Sequence, residues 1–343
     1  MSALGGVSID REDFWRWPVG ASTAGARYQE WQHFVVFAEG LELIVNFSLR
    51  ALRGGEASPN EARLVVLGRG ERWWGFVDEV DPREVEGAPD GRAMRFGASA
   101  MRLRPDGYFV TVSAPERGVS LELALRPAAL PMVVRRSQIT PGRRLDWVVV
   151  PRLKVEGAGT IDGRAVCLDG VAYHDHNWGC FDWGDDYTWE WGALLCEGEG
   201  EPLTVLYSAG MNRARTRLHY EYAVAWQGEG TALSASGPDV SVAWSGRRRE
   251  AAALRVPGVM SLLRPRVDAD VPEVVTVDAR NGSDRVEARF AVESTSEVII
   301  PSDGDPLGSM ALHECVGPVS VDATLGGRRL RQGGRGVFEF VRA

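Results

Sequence analysis

Residues 171–192 read "VAYHDHNWGCFDWGDDYTWEWG" and set four of the chain's twelve tryptophans beside two histidines, four aspartates and a glutamate. Cores are ordinarily aliphatic, because an unpaired charge taken out of water costs several kcal/mol. A stretch this rich in both aromatic surface and proton-carrying groups is therefore read as specialised. If 171–178 is a strand, its side chains alternate. Tyr173, Asp175 and Asn177 then share one face, and His174, His176 and Trp178 share the other. Residues 179–186 read as a turn, after which Tyr187, Trp189 and Trp191 alternate with Thr188 and Glu190. Two neighbouring strands joined by that turn would line one cavity with tryptophan, histidine and a carboxylate.

The rest of the chain has the same strand character. Forty glycines and eighteen prolines in 343 residues punctuate short runs rich in Val, Leu, Trp and Phe, the pattern of many strands joined by tight turns. Examples are "HFVVFAE" from 33, "LELIVNFSL" from 41, "SLELALR" from 120, "LTVLYSAG" from 203 and "RGVFEFVRA" from 335. The segment "EAAALRVPGVMSLL" is the exception, where Pro257 cuts a short helix or connection. Glu30-Trp31 and Glu190-Trp191 each open an apolar strand followed by an acidic glycine turn and a second apolar strand, which suggests two related halves. Two closed or nearly closed β-barrels would fit this length and remove exposed sheet edges. Pro151 and the glycines of "VVVPRLKVEGAGTIDG" interrupt the strand pattern, so the boundary is expected near 150–170, giving domains 1–160 and 161–343.

Composition excludes several classes. The net charge of −8 is spread along the chain, and the basic cluster Arg247-Arg248-Arg249 is answered by Glu250, so no nucleic-acid partner is expected. Four cysteines form no CxxC pair and no secretory framework, and the N-terminus lacks a signal pattern, which fits the reducing cytoplasm. No run of about 18 apolar residues spans a membrane. A hydrophobic substrate would have to reach the protein, with peripheral membrane contact as one route.

Chemically, a cavity of this make-up suits carbon–carbon double bonds. Protonating an alkene needs a well-placed acid and makes a cation that aromatic faces stabilise, by about 0.5–2 kcal/mol per contact. Asp175 and His176 are the expected proton-handling pair. Trp178, Trp189, Trp191 and Tyr207 are expected as walls, with Glu30 and Glu190 as further acids and Trp31, His33, Tyr173 and His174 completing the lining. Plainer readings stand beside these: a structural Asp–His corner, aromatic packing without chemistry, a solvated turn at Asp182, Asp185 and Asp186, and a structural ion pair of Glu30 with His33. No third ligand follows His174 and His176 at a metal spacing, so no metal is expected.

Glu30-Trp31-Gln32-His33-Phe34 and, more specifically, Gly170-Val171-Ala172-Tyr173-His174-Asp175-His176-Asn177-Trp178-Gly179 resemble the motifs of the carotenoid 1,2-hydratase (hydroxyneurosporene synthase) family and its AttH-like, lipocalin-like relatives. The resemblance implies an all-β chain of two consecutive lipocalin-like β-barrel domains. It implies a cofactor-independent hydratase that adds water to an isoprenoid double bond, or a relative that cyclises a polyene or closes a ring pericyclically. His176 and Trp178 fall on motif positions implicated in the hydratases. A later Tyr-x-Asp of the family falls at Tyr207-Ser208-Ala209, where the tyrosine is present and the aspartate is absent. A lipocalin-like carrier of an apolar ligand is the non-enzymatic alternative.

Overall fold

The structure is a computed structural model that describes residues 11–17, 28–51, 59–181, 188–248, 254–263, 271–301 and 308–342. Of the turn expected at 179–186, Gly179 and Cys180 instead continue the strand Gly170–Cys180, and residues 182–186, Trp183 among them, lie outside the described residues with Tyr187. Among the described residues the chain is almost wholly β. The first sheet has thirteen strands: β1 (Tyr28–Ala38), β2 (Leu41–Ala51), β3 (Glu61–Arg69), β4 (Trp73–Val80), β5 (Val85–Gly87), β6 (Ala93–Phe96), β7 (Ser99–Arg104), β8 (Gly107–Ala114), β9 (Val119–Pro127), β10 (Met132–Thr140), β11 (Arg143–Ile161), β12 (Arg164–Cys167) and β13 (Gly170–Cys180). Its main path runs β4-β3-β2-β1-β13-β11-β9-β8-β7-β6-β5, with β10 and β12 both paired to β11.

The second sheet has eleven: β14 (Thr188–Glu197), β15 (Leu203–Met211), β16 (Leu218–Gln227), β17 (Gly230–Ser236), β18 (Val240–Ser245), β19 (Leu254–Val256), β20 (Val274–Asn281), β21 (Asp284–Ala291), β22 (Ser294–Pro301), β23 (Ser309–Leu325) and β24 (Arg328–Arg342). Its path is β17-β16-β15-β14-β24-β23-β21-β20-β18, and all its pairings are antiparallel except β19 with β22. One end of the path, β17, approaches β20 near the other end, where Asn281 donates to the Ser234 carbonyl at 3.0 Å. Both sheets are nearly closed, barrel-like layers around their own cores. The short helix α1 (Gly258–Leu263) follows Pro257 instead of ending at it.

The chain forms two compact units, Met1–Phe181 and Asp182–Ala343. That division falls later than the expected break at 160/161, which would cut through β11. Pro151 does not end this strand: a bulge between Val150 and Leu153 against β13 absorbs it, a place where a missing N–H costs no ladder bond. The glycines beyond it serve close packing. A Cβ on Gly159 would lie 2.0 Å from the Ser120 carbonyl oxygen, and one on Gly157 would lie 2.6 Å from that of Glu122.

The hairpin expected across 171–191 does not form. Both edges of β13 are taken by β1 and β11, so β13 ends the first sheet's chain path and β14 begins the second's. Burial explains the change of sequence character here. β9 buries one face and alternates, with Val119, Leu121, Leu123 and Leu125 inside. By contrast β1, β13, β14 and β15 are buried on both faces almost throughout, so their polar residues are placed in interiors rather than in water.

The Glu-Trp repeat has a structural counterpart. Glu30 stands on the first strand of one sheet, across from Leu49 on the next strand and Trp178 on the last. Glu190 stands on the first strand of the other, across from Ala209 and Phe340 in the same two places.

Candidate functional site

Strand alternation puts Tyr28, Glu30, Gln32 and Phe34 of β1 on the core face of the first sheet, level with Trp178, His176 and His174 of β13. The segment 11–17 enters the same interior, burying Asp13, Trp15 and Trp17. His176 is fully buried between two carboxylates: its Nε2 lies 2.8 Å from Glu30 Oε1 and its Nδ1 lies 3.2 Å from Asp13 Oδ1. Glu30 is saturated with donors. Oε1 also accepts the Arg16 backbone N–H at 2.6 Å, and Oε2 accepts the Trp17 N–H at 2.9 Å and the Tyr28 hydroxyl at 3.0 Å. Asp13 Oδ2 accepts the Tyr108 hydroxyl and lies 3.2 Å from His174 Nε2. His174 donates Nδ1–H to the His33 carbonyl at 2.9 Å, since a carbonyl can only accept.

Electrostatics follow from these contacts. Burial would lower His176, but the hydrogen bond to Glu30 and the charges of Glu30 and Asp13 overcome it and raise its pKa above the usual imidazole value. Burial would likewise raise Asp13, yet His174 and His176 hold its carboxyl well below the ordinary carboxylate range. Both carboxylates therefore favour the protonated form of His176. Aromatic rings surround it. Trp178 lies 4.6 Å and Trp15 6.0 Å from the His176 ring, Phe34 stacks on His174 at 4.2 Å, and the Arg16 guanidinium sits 4.9 Å above Trp178. Four polar atoms in this interior make no hydrogen bond among the described residues: Trp15 Nε1, Gln32 Oε1, and His176 Nδ1 with Asp13 Oδ1, which face each other at ion-pair distance only.

The expected Asp175–His176 pair is corrected by the strand itself: adjacent residues point to opposite faces, and Asp175 accepts from Asn177 Nδ2 on the far side. The same parity separates Glu30 from His33, so they form no ion pair. His33 takes a hydrogen bond from Asn46 Nδ2 at 3.2 Å, and burial with the nearby His174 charge lowers its pKa to about 3. Tyr173 and Trp31 lie on that second face too, with Tyr173 fully buried.

Trp189, Glu190, Trp191 and Tyr207 belong to the second unit. Glu190 faces its core and is neutralised by Arg215 at 2.5 Å and Arg342 at 2.8 Å. Tyr207 donates to Glu221 at 3.0 Å, and burial with the nearby Glu221 and Glu190 charges pushes its hydroxyl far above the ordinary phenol value. On the opposite face, Trp189 and Trp191 both donate their indole N–H to Glu339 Oε1, the latter at 3.0 Å.

Sequence reasoning missed Asp13, Tyr108, Glu314 and Glu339. A readable signal existed for Glu314 and Glu339: "ALHECV" and "VFEFV" each set a carboxylate in an apolar run, where it must find a partner.

No family model matches the chain, and no curated protein does. Among solved structures it is similar to a protein provisionally assigned as AttH from Nitrosomonas europaea, at 15% identity and TM-score 0.65, covering 100% of this chain and 99% of that one. It is also similar to CghA solved with Sch210972, at 13% identity and TM-score 0.60 over 93% of this chain and 89% of that one. A third likeness is to kievitone hydratase from Nectria haematococca, at 10% identity and TM-score 0.57 over 98% and 94%. At these identities the likeness is one of fold. It is the fold of two β-barrel-like sheets that the motifs at 30–34 and 170–179 implied, shared with these three proteins over nearly the whole chain.

Proposed function

We propose a cofactor-independent enzyme that acts on a small hydrophobic polyene or isoprenoid by acid-assisted hydration or cyclisation of a carbon–carbon double bond. The observation that carries this reading is the place of His176 between the Asp13 and Glu30 carboxylates, which favour a proton on its ring, inside an aromatic interior. In the proposed step that proton adds to one alkene carbon, with the π electrons forming the new C–H bond. The cation at the other carbon is shielded by Trp178 and Trp15 until water or a second double bond captures it, and the proton released then returns to the clasp. The open donor on Trp15 and the open acceptor on Gln32 suit the water that hydration needs.

A second reading is ring closure by shape alone. It is favoured by the fact that both ring nitrogens of His176 face carboxylates, Nε2 hydrogen-bonded to Glu30 and Nδ1 at ion-pair distance from Asp13, and in it the walls, not the acid, supply the rate. No helix among the described residues is long and apolar enough to cross a membrane. The four free cysteines support the reducing cytoplasm as the site of action, with peripheral membrane contact as a route for substrate.

Incubation with farnesene in heavy water tests the reading. Deuterium at carbon together with a new hydroxyl marks hydration, and deuterium at carbon in a cyclic isomer marks acid-assisted cyclisation. Glu30→Gln should then lower turnover by about 10²–10⁴ with affinity retained. A ring product with no deuterium, or binding with no product, sinks the acid mechanism in favour of shape or carriage.

A further inference from the structure

Six side chains line up across the second sheet on the face opposite its core. Cross-strand partners place Tyr222 beside Ser208, Ser208 beside Trp191, Trp191 beside Glu339, Glu339 beside Glu314 and Glu314 beside Ser296. The intervening residues Tyr207, Cys315, Phe338 and Phe340 point into the core, which fixes the row on the other side. Even so, Ser208, Trp191, Glu339, Glu314 and Ser296 are buried, and Ser296 is fully so. Interiors spend polar groups sparingly, and two carboxyls side by side are costly unless a proton or a donor serves them. Glu339 has indole donors on one oxygen, and burial raises its pKa. Ser296 Oγ, next in the row, makes no hydrogen bond among the described residues. A buried hydroxyl left open is a specific expense, recovered when a ligand atom bonds to it.

We infer that this row is a ligand site in the second unit for an oxygen-bearing olefin, whose hydroxyl or carbonyl oxygen bonds Ser296 Oγ beside the Glu314–Glu339 pair while its apolar chain lies along Trp191 and Tyr222. A carbonyl accepts from the serine. A hydroxyl can in addition donate to the carboxyl pair, which no hydrocarbon can do. The inference rests on the reading of the chain as a protein for hydrophobic olefins, and it adds the demand for oxygen.

Trp189 and Trp191 supply the readout, because a ligand bound along them quenches tryptophan emission. The full chain is titrated with farnesol, farnesal and farnesene. Farnesol or farnesal should bind more tightly than farnesene, and Ser296→Ala should weaken the oxygenated ligand by about tenfold, the worth of one hydrogen bond, leaving farnesene unchanged. Glu339→Gln should weaken farnesol more than farnesal if the hydroxyl donates to the pair, and should affect the two equally if the oxygen only accepts. Equal affinity for all three compounds, or oxygenated ligands indifferent to both Ser296→Ala and Glu339→Gln in folded protein, overturns the inference. Tight, variant-sensitive binding of farnesol with no turnover of any compound would leave this site standing and remove the enzymatic reading.

Discussion

Glu30 and Glu190 hold the same place in their sheets and meet opposite kinds of cation. Each stands on the first strand, faces the core, and looks across to the last strand. Glu30 is answered by His176, with Asp13 on the imidazole's other nitrogen. Glu190 is answered by Arg215 and Arg342. Guanidinium stays charged at any accessible pH, so the second unit's pair can neutralise a buried carboxylate and do nothing more. Imidazolium can release its proton. One fold position has thus been given a fixed counter-ion in one unit and a movable proton in the other, which is why acid chemistry is assigned to the first.

The contrast can be broken by removing each cation. His176→Leu leaves two buried carboxylates facing one another without a bridging charge, and should cost about 3–5 kcal/mol in urea unfolding. Arg342→Met leaves Arg215 still bound to Glu190, so its cost should be smaller, about 1.5–3 kcal/mol, the range for a charged hydrogen bond. A larger loss from Arg342→Met than from His176→Leu would show that the two clusters had been ranked wrongly.

The two clusters also differ, by smaller amounts, in their response to pH. A raised histidine stabilises fully below the ordinary imidazole value, about pH 6.5, and its contribution is lost as pH rises through the raised value; each unit of elevation is worth about 1.4 kcal/mol. On the acid side the signs reverse. Asp13, held low, loses its contribution as pH falls through the carboxylate range and below. His33, lowered to about 3, costs stability from about pH 6.5 down, because only the unfolded chain takes its proton readily. Unfolding midpoints should therefore fall on the alkaline side in the wild type and stay flatter there in His176→Leu, whereas Arg342→Met should keep the wild-type slope. Equal slopes in all three would mean that His176 does not titrate in the folded protein as described.

Much of this was legible from local pattern. Period-two alternation correctly set His174, His176 and Trp178 on one face, and the Glu-Trp repeat marked equivalent positions in two barrels. Pairing was not legible, because alternation says which way a side chain points and nothing about what lies across from it. Thus β13 and β14, adjacent in sequence, entered different sheets. The partners of His176 came instead from residues 13 and 30, far away in sequence. Pro151 and the glycines at 157 and 159 looked like a linker because a bulge and a close strand crossing use the same residues as a turn. Asp13 escaped notice because its burial depends on a segment packing into the barrel, a fact of tertiary structure.

The proposed acid chemistry depends on the His176 proton. Nitrogen NMR of the histidine-labelled chain, with His176→Gln used to assign the resonance, reads both ring nitrogens directly. Both should remain protonated at pH values where an ordinary imidazole has already become neutral, and Glu30→Gln should move the titration down toward the usual value. A His176 that is neutral at pH 6 or below, with one bare ring nitrogen, would contradict the stored proton on which the proposed chemistry depends.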